Sequence, residues 1–106
     1  MFPKWDKIEM HIVSRKRLVN YWTTNPDAES ALKAWFKEAE HAHWKSPVNI
    51  KIRYPSADPL AGNRMVFNIK GYHYRLVVKI HYNTEIIYIR FVGTHEEYNK
   101  INAETI

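Results

Sequence analysis

The chain has 106 residues, of which 45% are hydrophobic and 14% aromatic, and it contains no cysteine. This length and composition predict one small domain with a single packed core, and they exclude an intrinsically disordered chain. The absence of cysteine excludes disulfide bonds, cysteine-ligated zinc and a cysteine nucleophile, and it is typical of proteins from the reducing cytoplasm.

The formal net charge of +5 predicts a polyanionic partner, either nucleic acid or an acidic protein. No apolar run approaches the roughly 18 residues of a transmembrane helix. The N-terminal residues MFPKWDKIEM carry scattered charges and lack the apolar segment of a signal peptide. We therefore expect a cytoplasmic protein that makes no membrane contact.

The first predicted elements follow a short N-terminal extension. Residues 1–9 precede the regular pattern, so we assign a single domain to residues 10–106. The residues HIV at 11–13 predict a short strand. Ser14 can cap the helix that follows, because its hydroxyl can accept a hydrogen bond from a backbone N–H of the first turn.

A second helix is predicted by its first turn and by its apolar spacing. Residues 25–27 (NPD) supply an N-cap residue, a proline at the first helical position and an acidic side chain near the N-terminus. The apolar residues that recur at the spacing of a buried helix face are Ala28, Ala31, Leu32, Trp35, Phe36 and Ala39. Ser46 and Pro47 predict a third, short helix that ends before Pro55.

In the C-terminal half the hydrophobic period changes from that of a helix to that of strands. Residues 56–63 read as a loop, and residues 65–92 predict three antiparallel strands. Thr94, with Glu97 three residues later, has the pattern of a capping box and predicts a short C-terminal helix. We therefore predict an α+β fold, in which the N-terminal helices pack on one face of a mainly antiparallel sheet of three to five strands.

The turns determine which residues pair across the strands. We expect a two-residue turn at Lys70 and Gly71 and an even number of residues in the loop around Asn83 and Thr84. The pairs that follow are Asn68 with His73, Leu76 with Phe91, Val77 with Arg90, and Arg75 with Val92. One face of the sheet is then apolar, and Tyr72 is interpreted as part of the core.

The opposite face of the predicted sheet is polar. It collects Asn68, His73, Arg75, Lys79, His81, Tyr88 and Arg90. The charges in its paired region are all positive, and Arg75 and Arg90 are predicted diagonal neighbours at roughly 7–8 Å. Because like charges repel unless an anion joins them, this face predicts an anion-binding site. The alternative is a solvated sheet face.

Four of these C-terminal residues suit RNA cleavage. That reaction uses the 2′-hydroxyl of the substrate as nucleophile, and it needs proton transfer and cations that stabilise the phosphorane. Arg75 and Arg90 match phosphate geometry, and His95 suits proton transfer near neutral pH. Tyr98 lies one helical turn after His95 and can stack on a base or donate a hydrogen bond.

Each of these residues also has a structural interpretation. His95 can be a surface histidine of a first helical turn, and Tyr98 can anchor the last helix to the core. His73 and His81 can be exposed strand residues. His41 and His43 are two positions apart, a spacing unsuited to two metal ligands on one helix face, so we predict no metal site.

Seven segments carry a resemblance to a known family. They are MHIVSRKRL (10–18), WKSP (44–47), NIKIRYP (49–55), NRMVFNIKG (63–71), YRLVVKI (74–80), YIRFVGTHEEY (88–98) and KINAETI (100–106). As a set they resemble the HigB toxins of bacterial toxin–antitoxin modules, which belong to the wider RelE/ParE-like superfamily. The resemblance covers residues 10–106.

The resemblance implies a compact RelE-like α+β fold and an endoribonuclease that cuts translated mRNA in the ribosomal A site. It implies no metal or other cofactor. It also implies a HigA-type antitoxin with a helix-turn-helix domain, through which the complex would bind operator DNA. The residues that match the polar set of the family are Asn68, Arg75, Lys79, Arg90, His95 and Tyr98.

We therefore predict a ribosome-dependent mRNA endonuclease. The predicted catalytic residues are Arg75, Arg90, His95 and Tyr98, and the predicted RNA-binding residues are Asn68, His73, Lys79 and Tyr88. Residues 15–17 (RKR) of the first helix are predicted to contact ribosomal RNA. The alternatives are an RNA-binding module without catalysis and a toxin that inhibits a protein target such as gyrase.

Overall fold

The computed structural model describes residues 8–106. The helices are α1 (Arg15–Thr24), α2 (Glu29–His41), α3 (Pro47–Arg53) and α4 (His95–Tyr98), with a 3-10 turn at Pro26–Ala28. The strands are β1 (His11–Val13), β2 (Asp58–Leu60), β3 (Arg64–Ile69), β4 (Tyr74–His81) and β5 (Ile86–Thr94). The predicted N-terminal extension falls mostly on residues 1–7, which lie outside the described residues.

The five strands form one open sheet in the order β1-β5-β4-β3-β2. β1 pairs in parallel with β5, and the other neighbours are antiparallel. This arrangement and the short α4 confirm the predicted α+β fold. β2 lies in the segment predicted as a loop, because three residues that include Pro59 are too few to show a strand period. No helix within residues 8–106 has the length and apolar character needed to cross a membrane.

Helices α1, α2 and α3 cover one face of the sheet. Phe67 of β3 is fully buried there, and its ring centre lies 5.4 Å from that of Trp35, 5.9 Å from Trp44 and 5.2 Å from Tyr54. The predicted apolar stripe of α2 points into this core, where Leu32 and Trp35 are buried. Aromatic packing therefore joins the α2–α3 layer to the middle of the sheet.

The observed helix starts agree only in part with the predicted ones. Ser14 occupies the N-cap position of α1 with an extended backbone, but its side chain makes no capping hydrogen bond, so that prediction is wrong. Asn25 precedes the 3-10 turn, and the α-helix proper begins at Glu29. The capping box is confirmed, since the Glu97 N–H donates to Thr94 Oγ1 at 3.1 Å and the Thr94 N–H to Glu97 Oε1 at 2.7 Å.

The loop between β3 and β4 is longer than predicted. Asn68 pairs with Arg75, so residues 70–73 form a four-residue connection and the two-residue turn is wrong. Lys70 and Gly71 both have positive φ, at 53° and 66°, which the short turn would also have required. Because the pairing moves by two residues, each strand keeps its faces, while His73 moves from the strand into the loop.

A β-bulge at Arg90 changes the register between β4 and β5. Val78 pairs with Ile89 but Val77 pairs with Phe91, so Arg90 is the extra residue. The predicted pairs that the bulge contradicts are Leu76 with Phe91, Val77 with Arg90, and Arg75 with Val92; the observed pairs are Leu76 with Val92 and Arg75 with Gly93. Beyond the bulge, Val92 contributes to the helix-covered core, and Phe91 packs on the opposite face.

That opposite face is not continuously polar. A second cluster covers its middle, with Val66, Val77 and Ala103 buried and with Leu60, Phe91, Tyr98, Ile101 and Ile106 packed against them. Arg64 donates from Nε and Nη2 to the Ile106 oxygen, at 3.0 and 2.8 Å, and so holds the chain end. The predicted polar face is therefore divided into an Arg75 end and a Lys79 end.

Candidate functional site

The Arg75 end of the sheet brings an arginine and a histidine into contact. Arg75 lies on β4 opposite Gly93, and His95 is the first residue of α4, two positions beyond Gly93. Arg75 Nη2 is 3.0 Å from His95 Nδ1. A guanidinium has only donors, so Nδ1 accepts, and the proton of the neutral imidazole is on Nε2. His95 is exposed and Arg75 is half-buried, so a ligand can reach the imidazole at this junction.

Two tyrosine rings flank the same guanidinium. Arg75 Cζ lies 5.7 Å from the ring centre of Tyr98 and 6.0 Å from that of Tyr72. Tyr98 is half-buried in the second cluster, with its ring centre 6.4 Å from that of Phe91. Arg75, His95 and Tyr98 thus lie together in the structure, while their catalytic roles stay predictions.

Helix α4 is held in place by hydrogen bonds at its first turn. Glu97 Oε1 accepts from the Thr94 N–H and from the Tyr21 hydroxyl, which is 3.2 Å away. The Thr94 N–H is the main cause of the lowered pKa of Glu97, while burial and the Glu97 charge raise the pKa of Tyr21. The phenol therefore keeps its proton and donates, which ties α1 to the turn that carries His95.

The 70–73 loop beside the site is anchored to the start of the helical layer. Tyr74 donates its hydroxyl to Asp27 Oδ1 at 2.6 Å, and Lys70 Nζ lies 3.2 Å from Asp27 Oδ2. These two bonds hold the pKa of Asp27 below its usual range, with the Tyr74 hydroxyl as the larger cause. The His95 N–H also donates to the His73 carbonyl at 3.3 Å, so the loop and α4 are joined directly.

Gly93 leaves the space through which β5 passes into α4. A Cβ at this position would lie 2.6 Å from Phe91 Cζ and 3.2 Å from Glu97 Cβ. A larger residue would therefore push on the Phe91 ring and on the capping turn. This is the reason for a glycine at the junction of strand and helix, opposite Arg75.

Arg90 lies apart from the Arg75–His95 contact. It lines a shallow groove of about 370 Å³ between α1 and β5, together with Arg17, Asn20 and Tyr21. Within residues 8–106 no hydrogen bond or ion pair joins Arg90 to Arg75 or His95. The bulge thus removes the predicted diagonal pairing of Arg90 with Arg75.

The basic residues of α1 are partly engaged within the fold. Arg17 Nη1 donates to the Arg90 carbonyl at 2.8 Å and to the Ile89 carbonyl at 3.3 Å, where β5 has passed the end of β1. Arg15 lies over the Trp22 ring, 5.4 Å from its centre. Arg17 therefore satisfies carbonyls at the edge of the sheet, a role that charge patterning does not indicate.

The predicted RNA-binding residues are dispersed. Asn68 pairs with Arg75, but its Nδ2 donates to the Ser56 carbonyl at 3.1 Å. Lys79 and Tyr88 pair at the other end of the sheet, where the Tyr88 ring lies 5.1 Å from that of His81. In the part of the chain that the structure describes, no three His, Cys, Asp or Glu side chains are placed to hold a metal ion.

Sequence reasoning missed Tyr72 and Tyr21 as parts of the site. Tyr72 continues the alternation of β4 and was interpreted as core, which is wrong, because it lies in the loop and is 67% exposed. The only local signal was the pair of residues, Lys70 and Gly71, that favours a loop. Tyr21 carried no signal, since its partner Glu97 is 76 positions away.

The chain is thus a small α+β protein with a mainly antiparallel sheet, helices on one face, and an arginine–histidine contact where the last strand meets the last helix. The chain belongs to the HigB toxin family, described as the RelE-like toxic component of a toxin-antitoxin system, whose model matches residues 28–101. The mRNA interferase toxin HigB of Escherichia coli (strain K12) is 29% identical over 96 residues, which cover 89% of this chain and 92% of that protein. The mRNA interferase HigB of Shigella flexneri matches to the same extent.

The Tyr21–Glu97 bond yields a prediction on stability. Tyr21→Phe removes a hydroxyl that donates to a carboxylate, so we expect the free energy of unfolding to fall by about 1–2 kcal/mol. Urea denaturation of both proteins measures this. Tyr82→Phe is the matched control, since the Tyr82 hydroxyl has no hydrogen-bond partner within residues 8–106 and should cost little. Equal losses in the two variants would contradict a specific role for the bond.

Acid should weaken the attachment of α4. The pKa of Glu97 is lowered from its ordinary value of 4.5, so its charge stabilises the fold above that pH, and this contribution is lost as pH falls through the lower folded pKa. Glu97→Gln keeps an acceptor for the Thr94 N–H but has no charge. We expect the melting temperature of wild type to exceed that of Glu97→Gln at neutral pH and the gap to close once the pH is low enough to protonate Glu97 in the folded protein. A gap independent of pH would contradict the assignment.

Proposed function

We propose that the protein is the toxin of a type II toxin–antitoxin system and that it cleaves translated mRNA on the ribosome. The observation that carries this proposal is the Arg75–His95 contact of 3.0 Å, at an exposed junction between strand and helix in a member of the HigB toxin family. The relatives named mRNA interferases support the choice of RNA as substrate. Action on translated mRNA would place the protein in the cytoplasm.

The proposed chemistry needs only the RNA and the side chains of the site, without a metal. The 2′-oxygen attacks the adjacent phosphorus as its proton is removed, the bond from phosphorus to the 5′-oxygen breaks, and that oxygen takes up a proton. The products are a 2′,3′-cyclic phosphate and a 5′-hydroxyl end. Arg75 and His95 supply the two requirements of this reaction, which are charge stabilisation and proton transfer.

Arg75 is placed to stabilise the phosphorane. Its guanidinium has five N–H donors, of which the free protein uses one on His95, so it has donors for a phosphate that binds in the site. Its position against the Tyr98 ring restricts its orientation. Arg90, in the neighbouring groove, would bind the phosphate chain on one side of the cut.

His95 is the proposed group for proton transfer. Its Nδ1 accepts from Arg75, and when the guanidinium turns to a bound phosphate this lone pair becomes available to the 2′-hydroxyl. The capping box fixes the start of α4, and with it the position of His95 relative to β5. Tyr98 supports the guanidinium from the second cluster.

The proposed partner is a HigA-type antitoxin with a helix-turn-helix domain. Membership of a toxin–antitoxin family supports an antitoxin as such. The net charge of +5 favours a partner with an acidic surface, as it favours ribosomal RNA. Contact with operator DNA would then occur through the antitoxin in the complex.

Mapping of 5′ ends on a reporter mRNA after brief induction tests the proposal. Discrete cuts in frame with codons, lost when translation is blocked, are the expected result. Intact mRNA with arrested growth would instead indicate a protein target such as gyrase. Salt-sensitive RNA binding without cut ends would indicate a binding module.

A further inference from the structure

Tyr72 is an exposed tyrosine on the loop between β3 and β4. It is the one aromatic among the large apolar side chains that residues 8–106 leave exposed, and 67% of it is accessible. Exposed aromatic rings with a free face are the groups on which nucleobases stack. The ring does not pack in the interior of the fold, so it can contact a ligand at the surface.

Hydrogen bonds hold the loop that carries Tyr72 beside the site. The His73 N–H donates to the Lys70 carbonyl at 3.2 Å within the loop, and Lys70 Nζ lies 3.2 Å from Asp27 Oδ2. The His73 carbonyl accepts from the His95 N–H. A ring on such a loop is pre-organised, so less conformational entropy is lost when a ligand binds it.

Of the two tyrosines at Arg75, Tyr72 is the one with room for a ligand. The Tyr98 ring packs against Phe91 and is half-buried in the second cluster. Next to Tyr72, a Cβ on Gly71 would meet no atom within 4 Å, so the space beside the loop is open. The stacking role predicted for Tyr98 therefore fits Tyr72 better.

We propose that Tyr72 is a stacking platform for the nucleobase next to the phosphate that Arg75 binds. This inference rests on the proposed RNA substrate and adds a determinant of its base preference. Arg75 Cζ lies 6.0 Å from the Tyr72 ring centre, so one nucleotide can place its phosphate on the guanidinium and its base over the ring. Purines, with the larger aromatic surface, should be preferred there.

The test uses ribosomes that carry an mRNA with 2-aminopurine in the A-site codon and a 2′-deoxy sugar that blocks cleavage. Stacking on Tyr72 should quench the fluorescence of this base. We expect Tyr72→Ala to lose the quenching and to bind roughly tenfold more weakly, and Tyr72→Phe to keep both. The matched control is Ile52→Ala, which removes an exposed apolar side chain on α3 and should behave as wild type.

Cleavage of an unmodified mRNA by the same proteins separates the two proposals. If Tyr72→Ala quenches and binds normally while the wild-type protein cleaves mRNA, the stacking platform is overturned and the proposed nuclease activity stands. A wild-type protein that neither cuts nor quenches overturns both. Loss of base preference next to the cut in Tyr72→Ala, with cutting retained, supports the platform.

Discussion

Replacing Arg75 with alanine should lower mRNA cleavage about 10²- to 10³-fold, because a donor aimed at the developing phosphorane charge is lost. The guanidinium makes one side-chain hydrogen bond in the free protein, to the exposed His95, so the fold should survive its removal. Arg75→Lys keeps the charge without the planar fork and should retain an intermediate activity. The measurement is the yield of cut 5′ ends per minute after induction, with circular dichroism to confirm folding.

Arg53→Ala is the matched control for this prediction. Arg53 is an exposed arginine on α3 whose partner is Glu38, and within residues 8–106 no hydrogen bond or ion pair joins it to Arg75 or His95. Arg53→Ala changes the net charge by the same amount as Arg75→Ala. This variant therefore reports any general effect of net charge on ribosome binding. Equal cleavage by Arg75→Ala and Arg53→Ala would remove Arg75 from the mechanism.

Replacing His95 with alanine should reduce cleavage about 10²- to 10⁴-fold, the usual contribution of a positioned acid or base. The capping box is made by Thr94 and Glu97, so α4 should still form without the imidazole. Cleavage under single-turnover conditions on programmed ribosomes measures the chemical step directly. A reduced chemical step with unchanged mRNA binding is expected, and a purely structural role would not separate the two.

A histidine elsewhere on the surface provides the comparison for His95. His43 lies between α2 and α3, near the carboxylates of Glu9 and Glu85, and outside the site. His43→Ala should cleave as wild type does. Full cleavage activity of His95→Ala would show that another group transfers the proton. Arg75 would then be the main contributor to catalysis among the site residues.

The correct predictions rest on short-range patterns. The buried stripe of α2 repeats within a single helix, and the Thr94–Glu97 capping box spans four residues. Because neighbours along the chain decide such elements, the sequence indicates them before any tertiary contact forms. The proximity of His95 and Tyr98 also follows from helical spacing alone.

The errors that change the site involve pairings between segments. The bulge at Arg90 depends on how β5 packs against β4 and α1. The hydrophobic period of the sequence does not reveal one extra residue at that point. The loop that exposes Tyr72 is two residues longer than the turn its sequence suggested. The cover over Val77 comes from Ala103, far along the chain.

By itself the sequence determined the α+β class, the helix-covered core and the presence of a basic, histidine-bearing junction after the last strand. These are properties of local spacing and of composition, which act on each segment separately. Only the tertiary structure decided that Arg75 contacts His95, that Arg90 lies in a separate groove and that Tyr72 faces solvent. Register, bulges and the path of the C-terminal segment are set by packing between distant residues, and a single residue of slip changes which side chains meet.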